Sequence, residues 1–404
     1  MKRSSIRSFS ATLGLLTAFL SAEQFCAAQT SISKAAELLS KGSTAEAIAL
    51  LRQLVAEDAS NVDAHLLLGT TLALNGSRNE SFDQMIEAVR LRPNSAAAHH
   101  QYGIVLSRFM EVKAARQEFE KALELDPALA EAHVNLSLIL AQAGELLPAA
   151  EHLDRAIELQ GNTPAAAYTH YLRAKIWGAQ DQIEKSIGQL QKAVLLRPDY
   201  AEAWSDLGGM RRLSLDHQGA VQALSKAVAL NPQDAIAQYR LGQLYLQDGD
   251  AVKAIRHFKI ALRGDPDDLA TLYNLDRALH KAGRLEEAHS IEKQLAESRE
   301  RTDRASTVAV AAARLNTEGI ELEKSGDVRA ALAKYRAALD LDPTGFGFAL
   351  NYGLALCRLG RWHDGVVGLQ EVLRLDPDNA DAAKALYIAM DRVKGQPEVP
   401  HKLP

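Results

Sequence analysis

Residues 201–232 read AEAWSDLGGMRRLSLDHQGAVQALSKAVALNP. Trp204, Leu207, Gly208 and Arg211 fall at the three-to-four spacing that gathers them on one side of a helix. Ala220, Leu224 and Ala227 do the same on a second helix, and Pro232, which cannot donate to a further turn, ends it. The wording returns elsewhere. Residues 130–159 read AEAHVNLSLILAQAGELLPAAEHLDRAIEL, and residues 315–343 read LNTEGIELEKSGDVRAALAKYRAALDLDP. A helix pair written many times is the mark of a chain that builds its core by stacking each unit on its neighbours.

Prolines set the period. Pro93 to Pro127, Pro198 to Pro232, Pro232 to Pro266 and Pro343 to Pro377 are each 34 residues apart. The gaps of 71 and 77 residues that follow Pro127 and Pro266 each hold one extra unit, lengthened by three and by nine residues, with Gly161 and Glu300 where a proline would stand. Two antiparallel helices approach closely only where their contact positions lack bulk. Small residues accordingly recur on the first helices (Gly69, Gly103, Ser137, Ala174, Gly208, Gly242, Gly319, Gly353). They recur on the second helices as Ser81, Ala115, Ala149, Ser186, Ala220, Ala254, Ala331 and Gly365. Asp276 breaks the rule in the eighth unit, which is expected to pack less tightly.

These units resemble tetratricopeptide repeats. The family's pattern asks for an aromatic residue, Leu-Gly, Tyr, Ala, a Phe-like residue, Ala and Pro at fixed offsets. The unit opening at Ala235 nearly spells it, with Leu241-Gly242, Tyr245, Ala254, Phe258, Ala261 and Pro266. Ten units open near Ala28, Val62, Ala96, Ala130, Ala167, Ala201, Ala235, Leu269, Ala312 and Phe346. The resemblance implies an all-α, right-handed superhelix (an α-solenoid) of about twenty-one helices. Eight repeats are expected over 29–302 and two more, with a capping helix, over 312–395. Residues 303–311 would lengthen the helices between the blocks, and 396–404 form a disordered tail.

The first 28 residues differ in composition. Lys2, Arg3 and Arg7 precede the apolar ATLGLLTAFL, and small residues surround Ala28, the layout of a cleavable export signal. The apolar run is too short to serve as a comfortable membrane anchor. Cleavage after Ala28 predicts a periplasmic or secreted protein of bacterial type, and takes the formal charge from −5 to −7. That acidity argues against nucleic acid as the partner of the whole chain. Cys357 is then the one cysteine left, which rules out an internal disulfide and suits a small buried helix residue.

Catalytic constellations are absent: no phosphate-binding glycine loop, nucleophile elbow or HExxH pair occurs. His65, His99, His133 and His170 hold one place in four consecutive units, but stacked helices stand about 8–10 Å apart and cannot bring them to one ion. They read as packing residues in the place of the pattern's aromatic. No cofactor, metal or enzymatic activity is expected. The serines of Asn79-Glu80-Ser81 and Asn135-Leu136-Ser137 stand at packing positions, so these glycosylation-like triplets read as structural.

In this family the first helices line the concave face, which takes an extended peptide or a partner's helix. Positions left over from packing in the fifth to eighth units are Tyr168, Tyr171, Lys175, Arg212, Tyr239, Arg240, Tyr273, Arg277, His280 and Lys281. Tyrosine offers area at little entropic cost and arginine grips carboxylates, so the set suits an acidic or carboxylate-ending segment. Equally, some of these tyrosines can pack between helices and some bases can serve solubility alone. Asn135, Asn274 and Asn351 stand where the repeats of O-linked N-acetylglucosamine transferases carry an asparagine ladder, in three of ten units and without a transferase domain. The expected function is a scaffold or adaptor of the cell envelope. The alternative is a regulatory or substrate-presenting subunit of a separately encoded enzyme, secretion or polysaccharide-export complex.

Overall fold

The computed structural model describes residues 28–376 and 379–394. Residues 1–27 of the expected export signal and the tail 396–404 lie outside the described residues. Everything regular among the described residues is α-helix. The helices pair off as α1 (Ala28–Ser40) with α2 (Thr44–Glu57), α3 (Val62–Leu74) with α4 (Arg78–Leu91), and α5 (Ala96–Arg108) with α6 (Val112–Leu125). Next come α7 (Ala130–Gln142) with α8 (Leu146–Gln160), α9 (Ala166–Ala179) with α10 (Ile183–Leu196), and α11 (Ala201–Leu213) followed by α12 (His217–Leu230). Then follow α13 (Ala235–Gln247) with α14 (Ala251–Ala261), α15 (Leu269–Lys281) with α16 (Leu285–Lys324), and α17 (Val328–Leu341). The series closes with α18 (Phe346–Arg358), α19 (Trp362–Leu375) and α20 (Ala380–Lys394). The chain divides into two compact units, residues 1–214 and 215–404.

Where the sequence suggests two lengthened helices around 303–311, one helix of 40 residues, α16, runs through. It is the second helix of the eighth repeat and the first of the ninth at once. No proline or glycine interrupts Leu285–Lys324 except Gly319, near its end, so nothing obliges the backbone to turn.

Inside each repeat the two helices join through one residue in the left-handed region. Glycine supplies it in seven repeats, at 42, 76, 144, 249, 283, 326 and 360. Met110, Asp181 and Leu215 supply it in the other three, at φ 61°, 55° and 64°. Side chains with a Cβ resist that conformation, so these three turns hold strain that the helices on either side impose. Some starts are marked by short polar caps: Asp234 accepts from the Ile236 and Ala237 amides, and Asp268 from Thr271.

Packing follows a knob and a hollow sixteen residues apart. Gly103 receives the Phe119 ring, Gly242 the Phe258 ring and Gly319 the Tyr335 ring; a Cβ on any of the three would meet ring atoms at 2.5–2.6 Å. Met85, Leu153, Leu190 and Leu369 fill the same place elsewhere, all fully buried. On the return helices Ser81 and Ser186 donate to the Gly69 and Ala174 carbonyls, so the small polar residues satisfy themselves inside the contact. Ser137 likewise is buried and bonded to the Val134 carbonyl. In the eighth repeat both halves of the knob and hollow are replaced: Asp276 takes the glycine's place and Glu292 the ring's.

The four stacked histidines are buried, and each bonds through Nδ1 to the residue nineteen positions on. The partners are Gln84 (2.8 Å), Glu118 (2.6 Å), His152 (2.8 Å) and Gln189 (2.6 Å). The first three also face a turn carbonyl with Nε2: Ala59, Pro93 and Pro127, at 3.0–3.1 Å. Trp204 and Gln238 donate from the same place to the Pro198 and Pro232 carbonyls. The position therefore calls for an N–H that ties a helix to the turn before it, and not for an aromatic ring as such. Cys357 is buried beside Gly365, and burial pushes its thiol pKa up, away from reactivity.

Candidate functional site

The face carried by the first helices is stitched by a bond that repeats with the fold. A side chain on one first helix meets a residue thirty-five positions away, on the neighbouring first helix. Asn135 Nδ2 lies 2.9 Å from His100 Nε2, Tyr171 donates to Asp206 Oδ2 at 3.2 Å, Asn274 Nδ2 donates to the Tyr239 hydroxyl at 3.2 Å, and Asn351 donates to Asn316 Oδ1 at 2.9 Å. The three asparagines of the ladder position are thus each bonded to the preceding repeat. Bases in the last turns reach back in the same direction: Arg108 Nε to the Ala73 carbonyl at 2.7 Å, and Lys281 Nζ to the Leu246 carbonyl at 3.3 Å. Cations there meet the negative end of the preceding helix.

The ten residues singled out by sequence fall on both compact units. In the first, Tyr168 and Tyr171 are half-buried on α9, with the Tyr171 ring 5.1 Å from that of Tyr200. The Arg197 guanidinium lies 3.4 Å from the Tyr200 ring centre. Burial holds the Tyr168, Tyr171 and Tyr200 hydroxyls above their ordinary pKa, and the Asp206 charge adds to the effect on Tyr171, so all three are neutral donors. Lys175 is exposed, 3.5 Å from Asp206 Oδ2. Arg212 is half-buried, and among the described residues its Nε is buried without a hydrogen-bond partner. Asp206 is the neighbour of these candidate residues that sequence reasoning missed: it already offsets one of the bases, and only its partners thirty-five and thirty-one residues back reveal it.

In the second unit Tyr239 and Arg240 are half-buried on α13. Tyr239 accepts from Gln243 at 2.9 Å, and its ring lies 6.0 Å from Phe258, which makes it as much a packing residue as a surface one. Tyr273, Arg277, His280 and Lys281 are exposed on α15. The Arg277 guanidinium stands 5.8 Å from the Tyr273 ring centre and donates to Asn274 at 3.4 Å. His280 Nε2 lies 3.0 Å from Glu292 Oε1 and 3.3 Å from Asp276 Oδ1. Hydrogen bonding from His280, and then from His289, keeps the Glu292 carboxyl below the ordinary carboxylate range. Among the described residues, Asp276, His280 and Glu292 form the group of metal-ligating side chains whose donor atoms all lie within 4.8 Å of one another.

No curated protein matches the chain. Among solved structures, PilF of Pseudomonas aeruginosa is 19% identical over 54% of this chain and 96% of its own, with a TM-score of 0.49. MamA from Desulfovibrio magneticus RS-1 (residues 41 to the end) is 24% identical over 43% and 96%, with a TM-score of 0.39. YrrB, described as a TPR protein with an unusual peptide-binding site, is 21% identical over 47% and 96%, with a TM-score of 0.41. One tetratricopeptide repeat model matches residues 32–96, 103–167, 171–235, 214–268 and 316–380, and a second matches 245–309. These matches take in most of the sequence and coincide with helix pairs that pack a knob into a hollow: the chain belongs to the tetratricopeptide repeat family.

Proposed function

We propose that the protein is a non-enzymatic scaffold of the bacterial cell envelope, exported by its N-terminal segment, that holds an extended acidic segment of a partner protein on its first-helix face. The observation that carries the reading is α15. Tyr273 is 48% exposed on a helix otherwise anchored by buried Leu272, Leu275 and Leu279, with the Arg277 guanidinium 5.8 Å from its ring centre and Lys281 one turn on. A rigid aromatic flanked by two bases loses little entropy on binding and offers charge-assisted bonds to carboxylates. Within the first compact unit, Tyr171, Lys175 and Arg212 carry the same kinds of side chain. Export rests on the composition of residues 1–28, and the absence of an activity rests on the lack of a catalytic constellation in the sequence.

The test begins with affinity capture by the chain lacking residues 1–28, followed by mass spectrometry. Several envelope proteins support the scaffold; a single catalytic protein in fixed ratio supports a regulatory subunit instead. Affinity for the captured partner is then compared between the wild type and Arg277→Glu/Lys281→Glu. Exposed ion pairs are worth about 0–1 kcal/mol each, so reversing two bases is expected to weaken binding about tenfold, and less so at high salt. A folded double variant with unchanged affinity removes α15 from the interface.

A further inference from the structure

The eighth repeat departs from its neighbours by a matched pair of changes. In the other repeats that lie within one compact unit the hollow on the first helix is small and the knob on the second is apolar and buried, as in Gly242 with Phe258 and Gly319 with Tyr335. Here the hollow holds Asp276 and the knob is Glu292. Two carboxylates facing each other across a helix pair repel unless a cation lies between them. His280, one turn beyond Asp276 on α15, stands between both, with Nε2 at 3.3 Å from Asp276 Oδ1 and 3.0 Å from Glu292 Oε1. A single N–H satisfies only one of them. The hydrogen bond goes to Glu292, and Asp276 Oδ1 stays buried with no hydrogen-bond partner among the described residues, its contact with His280 being outside bonding geometry. A buried carboxylate oxygen without a donor is costly.

We infer that Asp276, His280 and Glu292 form a binding site for one divalent first-row transition metal ion of the zinc type, which pins α15 to α16 where the apolar knob is missing. Donor atoms around a tetrahedral ion with bonds of about 2.0–2.1 Å stand roughly 3.3 Å apart. Two of the three separations here already match, and the third is within 4.8 Å. An imidazole nitrogen with two carboxylates suits zinc or cobalt better than magnesium or calcium, which prefer an all-oxygen shell. His280 binds through the deprotonated Nε2, so the metal takes the place of the shared proton and gives Asp276 Oδ1 a positive partner. The fourth position opens toward water, since His280 and Glu292 are each about half exposed. The role is structural, a cross-brace in place of a ring. The sequence expectation of no metal rests on the missing HExxH pair and on the four stacked histidines, which lie elsewhere in the fold.

The experiment is calorimetric titration of the untagged full chain with zinc chloride, with cobalt absorption as a second probe of ligand geometry. One ion per chain is expected, with a rise in thermal midpoint when zinc is present. Asp276→Gly/Glu292→Phe restores the pairing of the neighbouring repeats, so it keeps the fold while losing two ligands. Removing even a supporting residue of a metal site costs about 10–100-fold in affinity, so this variant is expected to bind zinc at least roughly 100-fold more weakly. His280→Ala loses one ligand and the Glu292 hydrogen bond but leaves the hollow and knob positions unchanged, and decides the comparison should the double variant unfold. Absence of zinc binding to the wild type, or equal affinity in wild type and variants, overturns the inference. Arg277→Glu/Lys281→Glu keeps all three ligands and retains zinc, which separates this result from that of the partner-binding test.

Discussion

His100 makes the fold sensitive to acid by an amount that can be worked out. It is buried on α5, with Nε2 2.9 Å from Asn135 Nδ2 and its ring 5.8 Å from that of Phe119. Burial pushes its pKa from the ordinary 6.5 down to about 4. The neutral ring is the one the fold accepts, because an imidazolium there would lose its hydration and could not accept from Asn135. The unfolded chain takes up the proton near pH 6.5, and the folded chain refuses it until near pH 4. Stability is therefore complete above about pH 6.5 and is lost as pH falls through that window. At about 1.4 kcal/mol per unit, the whole gap is worth roughly 3 kcal/mol, most of which is gone by about pH 4.5. The assay is urea unfolding followed by far-ultraviolet circular dichroism at about pH 7 and about pH 4.5, on the wild type and His100→Gln. Burial also depresses His133, His152, His170 and His257, so both chains weaken in acid. The variant is expected to lose roughly 2 kcal/mol less than the wild type. Equal losses would refute the reasoning, since they would mean that the buried ring accepts its proton without penalty.

Other positions yield sharp expectations. Gly242→Ala drives a methyl group to 2.5 Å from the Phe258 ring and should cost about 1–3 kcal/mol in urea unfolding, whereas Gly188→Ala, with nothing within 4 Å, should be neutral or stabilising. Met110→Gly relieves a left-handed residue at φ 61° and should raise stability by about 0.5–1 kcal/mol, after allowance for glycine's greater unfolded entropy. Asp154→Ala strips the bidentate partner, at 2.7 and 3.0 Å, from the buried Arg173 guanidinium. A loss of about 1–3 kcal/mol is expected, read as a lower denaturation midpoint with unchanged slope. In a chain carrying Cys26→Ser, Cys357 should react with a thiol reagent only as fast as the fold opens, and rapidly once urea is added.

Periodicity made most of this fold legible, because each structural position is sampled ten times and noise at one repeat is corrected by the others. The small-residue columns and the proline stops are of that kind. What escaped is pairwise. Asp276 reads as an exception on its own, but Glu292 looks like any exposed glutamate until it is aligned with Phe258 and Tyr335. Asp206 is equally silent, since its meaning lies in Tyr171 and Lys175, a whole repeat away. The histidines were legible as buried, yet their task, donating to a preceding turn, emerges only when Trp204 and Gln238 are seen doing it too. On the candidate face, hydrogen bonds and ring contacts draw Tyr171 and Tyr239 partly into the packing and leave Tyr273 most open. One-dimensional spacing cannot sort these, because inward and outward positions on a first helix are only one residue apart.

The uninterrupted α16 changes what length means at that point of the chain. Elsewhere a turn joins successive helices, and a turn absorbs an extra residue by bulging. A continuous helix transmits it: each residue adds about 1.5 Å and about 100° of rotation to everything beyond. The nine-residue insertion thus acts as a dial, setting the bearing at which the last two repeats present themselves relative to the eighth. Evolution can trim or pad the other inter-repeat connections freely, but a single deletion among residues 303–311 would swing the C-terminal repeats by more than a quarter turn while leaving every one of their internal contacts intact.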